Sequence, residues 1–188
     1  MLSDWLNFRD FLLFMLVFTP LEHLLPIHEK SRGFRRGWFT DVFHFFLSGI
    51  FIRLGLTAVI VISADIGDSM VPASFSEALR SLNLGLQVLL AIFVADLGFY
   101  FAHRAMHSMP LLWRFHAVHH SSEEMDWLAA YRVHPVDQVL VKGASLVPIY
   151  MIGFSSSAIF LTAVIYHWQA LVIHSNIRVP LGPLRFLW

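Results

Sequence analysis

Long apolar stretches separated by short charged segments dominate this chain. The stretches cover residues 8–27, 39–62 and 82–101. A helix of about 20 apolar residues crosses the hydrocarbon core of a bilayer, so the pattern predicts three membrane spans. The first stretch has no basic segment before it and no small-residue cleavage site after it, so we interpret it as an anchor rather than a signal peptide.

A fourth apolar region covers residues 139–173. It is too long for one crossing at about 1.5 Å per residue. Gly153 and the serines at 155–157 offer a break near its middle. We therefore predict a hairpin of two helices, and the pattern leaves open whether it crosses the membrane fully or dips in and returns.

The composition agrees with a membrane protein and limits its chemistry. Hydrophobic residues make up 57% of the chain and charged residues only 14%, whereas soluble domains carry roughly 25% charged residues. The 13 basic and 13 acidic residues balance, which gives no support for nucleic-acid binding. Cysteine is absent, so any metal ligands are nitrogen or oxygen atoms. We predict a single all-α, multi-span transmembrane domain over residues 1–188.

The charges in the short loops predict the orientation of the domain. The loop between the first two spans carries four basic residues: Lys30, Arg32, Arg35 and Arg36. The next loop carries mainly acidic residues: Asp65, Asp68 and Glu77, with Arg80. Short basic loops remain in the cytoplasm. We therefore expect the first loop, and the histidine-rich segment 103–137 two crossings later, to lie on the cytoplasmic side.

Histidines are concentrated directly after the third span. The chain has 11 histidines, and the segment 103–120 contains a pair spaced four apart and a His-x-x-His-His group: His103, His107, His116, His119 and His120. Side chains four apart share a helix face, and neutral imidazole binds iron, zinc, copper or nickel. Partly protonated imidazoles this close would repel one another without a bound cation. The pattern predicts a polyhistidine metal site facing the cytoplasm.

Three stretches of this segment resemble the fatty acid hydroxylase / sterol desaturase superfamily: DLGFYFAHRAMH, WRFHAVHHSSEEMDW and YRVHPVD. The resemblance extends from about Val94 to the end of the chain. It implies a membrane-bound oxygenase that hydroxylates or desaturates a lipid with O2. It also implies two iron ions, replaceable by zinc in a purified form, and electrons from an external NAD(P)H-linked electron-transfer protein.

The resemblance also implies the metal ligands. His103 and His107 match the first histidine box of the superfamily, and the second box is matched by His116, His119 and His120. His134 and His174 match further histidines near the metals. A third His-x-x-His-His box is expected after the stretch LGPLRFLW, yet the sequence ends at Trp188. We expect either a C-terminally truncated piece of a longer protein or a degenerate member.

Several carboxylates near the histidines have two interpretations each. Asp96, seven residues before His103, either orients that imidazole or pairs with an arginine at the interface. Asp137 either supports His134 or caps a helix that begins near Val136. Three acidic residues follow the second box: Glu123, Glu124 and Asp126. They form either a solvated turn, which we favour, or a docking patch for an electron donor or a gate beside the metals.

Two functions compete with an O2-dependent lipid oxygenase. The first is a non-catalytic membrane protein that keeps a degenerate metal-binding site. The second is another metal enzyme on the same scaffold, such as a zinc hydrolase. The sequence identifies neither the lipid nor the choice between hydroxylation and desaturation.

Overall fold

The computed structural model describes residues 8–28 and 35–178, and these residues form seven helices. They are α1 (Phe8–Leu24), α2 (Trp38–Met70, with a π-helical turn at His44–Ser48), α3 (Ala73–Ser81), α4 (Leu84–Ser108), α5 (Pro110–His116), α6 (Pro135–Ile152) and α7 (Ser156–His174). Two 3-10 helices, His119–Ser121 and Trp127–Tyr131, lie between α5 and α6. The described residues contain no β-strand, which confirms the all-α prediction.

Within residues 8–28 and 35–178, three helices are long and apolar enough to cross a membrane: α2, α4 and α7. α2 has 33 residues and is therefore about 50 Å long, more than the roughly 30 Å of the hydrocarbon core. α4 continues past residue 101 to Ser108. Phe51, Phe93 and Phe160 on these helices are more than half exposed, as side chains that face lipid are.

Capping residues define the ends of several helices. The side chain of Asn83 accepts a hydrogen bond from the Leu86 N–H at 2.9 Å and begins α4. α6 ends at Ile152 and is followed by Gly153, whose φ of 84° is in the left-handed region that glycine adopts without strain. Ser155 then caps α7 through the Ala158 N–H at 3.3 Å. Two helices joined by this tight turn therefore occupy most of the fourth apolar region.

Close backbone contacts hold α6 against α2 and α4. A Cβ atom added at Gly67 of α2 would lie 2.6 Å from the main chain of Met151. One added at Gly98 of α4 would overlap the carbonyl of Ala144. Small residues allow such close helix packing in membranes. The packing brings the ends of α4 and α7 and the start of α6 to one end of the bundle.

α1 packs across that same end through one apolar face. Phe11, Phe14 and Phe18 are buried against a core that contains Trp127 and Leu171, and their spacing is that of one helical stripe. Near the end of α1, one oxygen of the buried Glu22 accepts from the Trp127 N–H at 2.7 Å and the Asn176 N–H at 3.0 Å. α1 thus connects the histidine segment to the chain that follows α7.

Candidate metal centre

The last turns of α4 and the end of α5 bring three imidazoles together. His103 and His107 share one face of α4, and their Nε2 atoms lie 3.2 Å apart. His116 is the last residue of α5, and its Nε2 lies 3.2 Å from that of His107. Ligand atoms of the three rings all lie within 4.8 Å of one another. One metal ion could therefore contact all three.

Three further histidines extend this cluster. The Nε2 of His120 lies 3.1 Å from that of His116. The Nε2 of His119 faces the Nε2 of His174, at the end of α7, at 3.0 Å. The six rings therefore form a group of four and a neighbouring pair, connected through His116 and His119, whose ring centres are 5.7 Å apart.

Hydrogen bonds on the opposite ring nitrogens determine the tautomers of the pair. The Nδ1 of His119 lies 3.3 Å from the Arg132 carbonyl oxygen, and the Nδ1 of His174 lies 2.7 Å from that of Ala170. Carbonyl oxygens only accept, so each Nδ1 carries the proton. In neutral rings, both Nε2 atoms then present lone pairs to each other. That contact is unfavourable unless a proton or a metal ion lies between them, so these residues fit a metal.

Electrostatics favour neutral rings in this segment. Burial, together with the neighbouring His174, lowers the pKa of His119 to about 4. Burial also lowers the pKa of His120, and His116 and His107 add to that effect. These rings are therefore neutral near pH 7, which is the form that binds metal ions.

Asp137 and His134 each contact a partner that the sequence spacing did not indicate. Asp137 is buried and its Oδ1 lies 3.1 Å from the Nδ1 of His116, so it contacts this ring and not His134. His134 accepts from the Val136 N–H through its own Nδ1 at 3.1 Å and caps α6. A neutral ring that accepts at Nδ1 carries its proton on Nε2 and offers a metal no lone pair. Asp96, the other carboxylate that the sequence suggested as a partner for a histidine, instead accepts a hydrogen bond from the Tyr166 hydroxyl.

A buried network of two arginines and two aspartates lies beside the histidines, and the sequence pattern did not predict it. Arg35 donates to Asp41 at 2.5 Å and to both oxygens of Asp126 at 2.6 and 2.8 Å. Arg132 donates to the other oxygen of Asp41. Burial alone would lower the pKa of Arg35, but hydrogen bonds and charge interactions with Asp126 and Asp41 raise it. The network neutralises four charges away from solvent.

The expectation of a solvated acidic turn is therefore wrong for Asp126, which is buried. It holds for Glu123 and Glu124, which are exposed. The sequence contained one indication of the network. Asp41 lies inside the apolar run WFTDVFHFF, where an unpaired carboxylate would be costly, so a buried cation was to be expected.

The fold and the site together define an all-α membrane protein with six clustered imidazoles. Residues 88–188 match the fatty acid hydroxylase family. Because the match covers more than half of the chain, the chain belongs to that family.

Relatives with curated names agree with this assignment. The chain is 27% identical over 184 residues to ornithine lipid hydroxylase OlsE of Rhizobium tropici, covering 92% of this chain and 53% of that protein. It is 29% identical over 101 residues to the very-long-chain aldehyde decarbonylase GL1-11 of Oryza sativa subsp. indica and subsp. japonica, covering 54% of this chain and 38% of each relative. The chain therefore spans about half the length of the first relative and less of the rice proteins. No solved structure matches significantly.

Proposed function

We propose that this chain carries the metal centre of a membrane-bound lipid hydroxylase that uses O2 and two iron ions. The supporting observation is the set of six Nε2 atoms in a group of four and a facing pair. Membership of the fatty acid hydroxylase family supports the reaction class. The name of the relative OlsE supports a lipid substrate.

The six rings divide into two proposed ligand groups. His119 and His174 would contact one ion. The other ion would be held by the group of four: His103, His107, His116 and His120. His134 stays outside the set because its Nδ1 accepts the bond that caps α6. Imidazole suits both iron and zinc, so zinc would be able to replace iron in a purified form.

The residues of this chain would prepare the centre rather than perform the oxidation. Iron, when bound, supplies the O2 activation that an unactivated C–H bond requires and that no side-chain acid or base provides. The Arg132 and Ala170 carbonyls and Asp137 orient three of the rings. The apolar outer faces of α2, α4 and α7 would let a lipid approach within the bilayer. Electrons would come from an external NAD(P)H-linked protein.

Iron content and oxygen uptake of the purified chain test this proposal. The chain is loaded with Fe(II) in lipid nanodiscs and supplied with a reductant, O2 and ornithine lipid. Expected are about two iron ions per chain, as in carboxylate di-iron bundles, and lipid-dependent O2 uptake with a hydroxylated product in the mass spectrum. Bound zinc without O2 uptake would favour a zinc hydrolase. Bound metal without any turnover would favour a non-catalytic metal-binding protein.

We also propose that the centre faces the cytoplasm. The basic loop supports this orientation, although Arg35 is buried in the ion-pair network and Lys30 and Arg32 lie outside the described residues. Because the chain has no cysteine, Glu123→Cys and Ser69→Cys each introduce one label site at opposite ends of α2 and α4. A membrane-impermeant maleimide applied to intact cells should label Ser69→Cys and spare Glu123→Cys. The reverse pattern would invert the orientation.

A further inference from the structure

The buried ion-pair network contacts the histidine turn at Arg132. The Nη1 of Arg132 donates to the Ser121 carbonyl at 3.2 Å, and Ser121 ends the 3-10 helix that begins at His119. The main-chain carbonyl of Arg132 accepts from the Nδ1 of His119 at 3.3 Å. One residue therefore contacts both ends of this short turn.

Asp41 in turn holds Arg132. Its carboxylate is completely buried and accepts from the Nε of Arg132. The Nη2 of Arg132 donates to the Gly37 carbonyl at 3.1 Å. All three guanidinium nitrogens therefore have separate acceptors, and the planar fork of arginine is suited to such a set. The start of α2 is thereby connected to the ring of His119.

We propose that Asp41 and Arg132 are positioning residues for His119. The pair holds the Arg132 backbone so that its carbonyl keeps the proton of His119 on Nδ1 and leaves the Nε2 lone pair directed at His174. Partners of this kind fix the tautomer and orientation of metal-binding histidines. The inference rests on the proposed function, because it concerns how one proposed ligand is oriented.

Asp126 offers a matched control within the same network. Its side chain is 12% exposed, against 0% for Asp41, and it pairs with Arg35. It also accepts from the Ala129 N–H, a bond that the amide oxygen of asparagine can keep, and no contact joins it to the Arg132 guanidinium among the described residues. Asp126→Asn therefore removes one buried negative charge, as Asp41→Asn does, and leaves the Asp41–Arg132 contact in place. Arg132→Lys is the conservative second variant, since it keeps the charge and loses the fork.

The experiment measures Co²⁺ affinity and the protonation of the His119 ring in the full chain in nanodiscs. Asp41→Asn and Arg132→Lys should weaken Co²⁺ binding about 10–100-fold, the usual effect of losing such a partner. Asp126→Asn should bind close to the unsubstituted affinity. In metal-free protein with ¹⁵N-labelled histidine, the His119 signal, assigned with His119→Gln, should shift from the Nδ1-protonated form toward a mixture in the first two variants.

The results that differ from these expectations separate a failure of the positioning inference from a failure of the proposed function. Equal weakening in Asp126→Asn and Asp41→Asn would show a general structural role and overturn the inference. Unchanged binding and an unchanged His119 signal in a folded Asp41→Asn or Arg132→Lys would also overturn it. If Asp41→Asn does not fold, Arg132→Lys decides. Absence of Co²⁺ binding in the unsubstituted chain would count against the proposed function, and the metal-free ring signals would still test the positioning.

Discussion

The histidine cluster has a held half and an open half. In the held half, the Nδ1 atoms of His116, His119 and His174 contact Asp137 and two backbone carbonyls. The open half consists of His103, His107 and His120. No described residue accepts a hydrogen bond from the Nδ1 atoms of these rings. These three rings also contact aromatic side chains, Phe99 for His103 and Trp113 for the other two.

The difference separates two ways of positioning a ligand. A hydrogen bond to Nδ1 sets both the rotation of the ring and the location of its proton. An aromatic neighbour restricts the ring plane and leaves the tautomer free. The held half is therefore organised before metal binds, and the open half is expected to become ordered with the metal. Four predictions test this contrast.

The largest effect is expected from removing a held ligand. His119→Ala deletes one of two facing Nε2 atoms, so the ion that His119 and His174 would hold should be lost, iron retention should fall to about half, and lipid-dependent O2 uptake should cease. Metal analysis after desalting measures the first. His23→Ala is the matched control, because His23 is exposed and its ring hydrogen-bonds the Thr19 carbonyl within its own helix. Full iron content in His119→Ala would remove this residue from the ligand set.

A smaller effect is expected from weakening the support of a held ring. Asp137→Asn keeps the shape but removes the charge beside His116, which should lower metal affinity about 10–100-fold. Competition with a metal-binding dye measures the affinity.

Asp96→Asn is the control for this change, because Asp96 contacts Tyr166 and no described histidine. A large loss in Asp96→Asn with none in Asp137→Asn would contradict the contacts seen here. It would instead support the sequence-based interpretation in which Asp96 orients His103.

A weaker effect is expected in the open half. Trp113 packs on His107 and His120 with ring centres 5.5 Å away in each case. Each such contact contributes about 0.5–1.5 kcal/mol. Both are present without metal, so only part of their energy bears on metal binding, and Trp113→Ala should reduce metal affinity about tenfold or less. Trp113→Phe should restore most of it. A loss as large as that of Asp137→Asn would show that the two halves are not organised differently.

The smallest effect is expected at the exposed acidic turn. Glu123 and Arg36 form a contact of 3.6 Å between side chains that are 71% and 85% exposed, and such surface pairs contribute little. Glu123→Ala should leave both metal content and the unfolding temperature unchanged. Loss of metal in this variant would place the turn in the site.

Local patterns were sufficient to predict the helices and which histidines are near one another. Two of the three apolar runs predicted as spans correspond to α2 and α4, and the predicted hairpin corresponds to α6 and α7. The first run forms α1, which is not among the helices long and apolar enough to cross a membrane. Spacing along one helix predicted the contact of His103 with His107. These features depend on neighbours within a few residues. The chemical constraints on a helix in lipid are also local, because its backbone hydrogen bonds lie within the segment.

The partners of the polar groups could not be predicted in this way. Asp137 lies three residues from His134 yet pairs with His116, 21 residues away. The sequence placed Arg35 among the basic residues that indicate membrane orientation and Asp126 in a solvated turn. In the structure, the two side chains pair although they are 91 residues apart. Sequence spacing cannot show which carboxylate pairs with which distant cation, because several of each lie in similar local sequence surroundings.

The sequence by itself determined an all-α membrane protein with an excess of imidazole at one end. The tertiary structure decided which ring nitrogens carry protons and which present lone pairs. The physical reason is that a tautomer depends on the group that faces Nδ1. For His119 that group is a backbone carbonyl, held in place by the contact between Arg132 and Asp41.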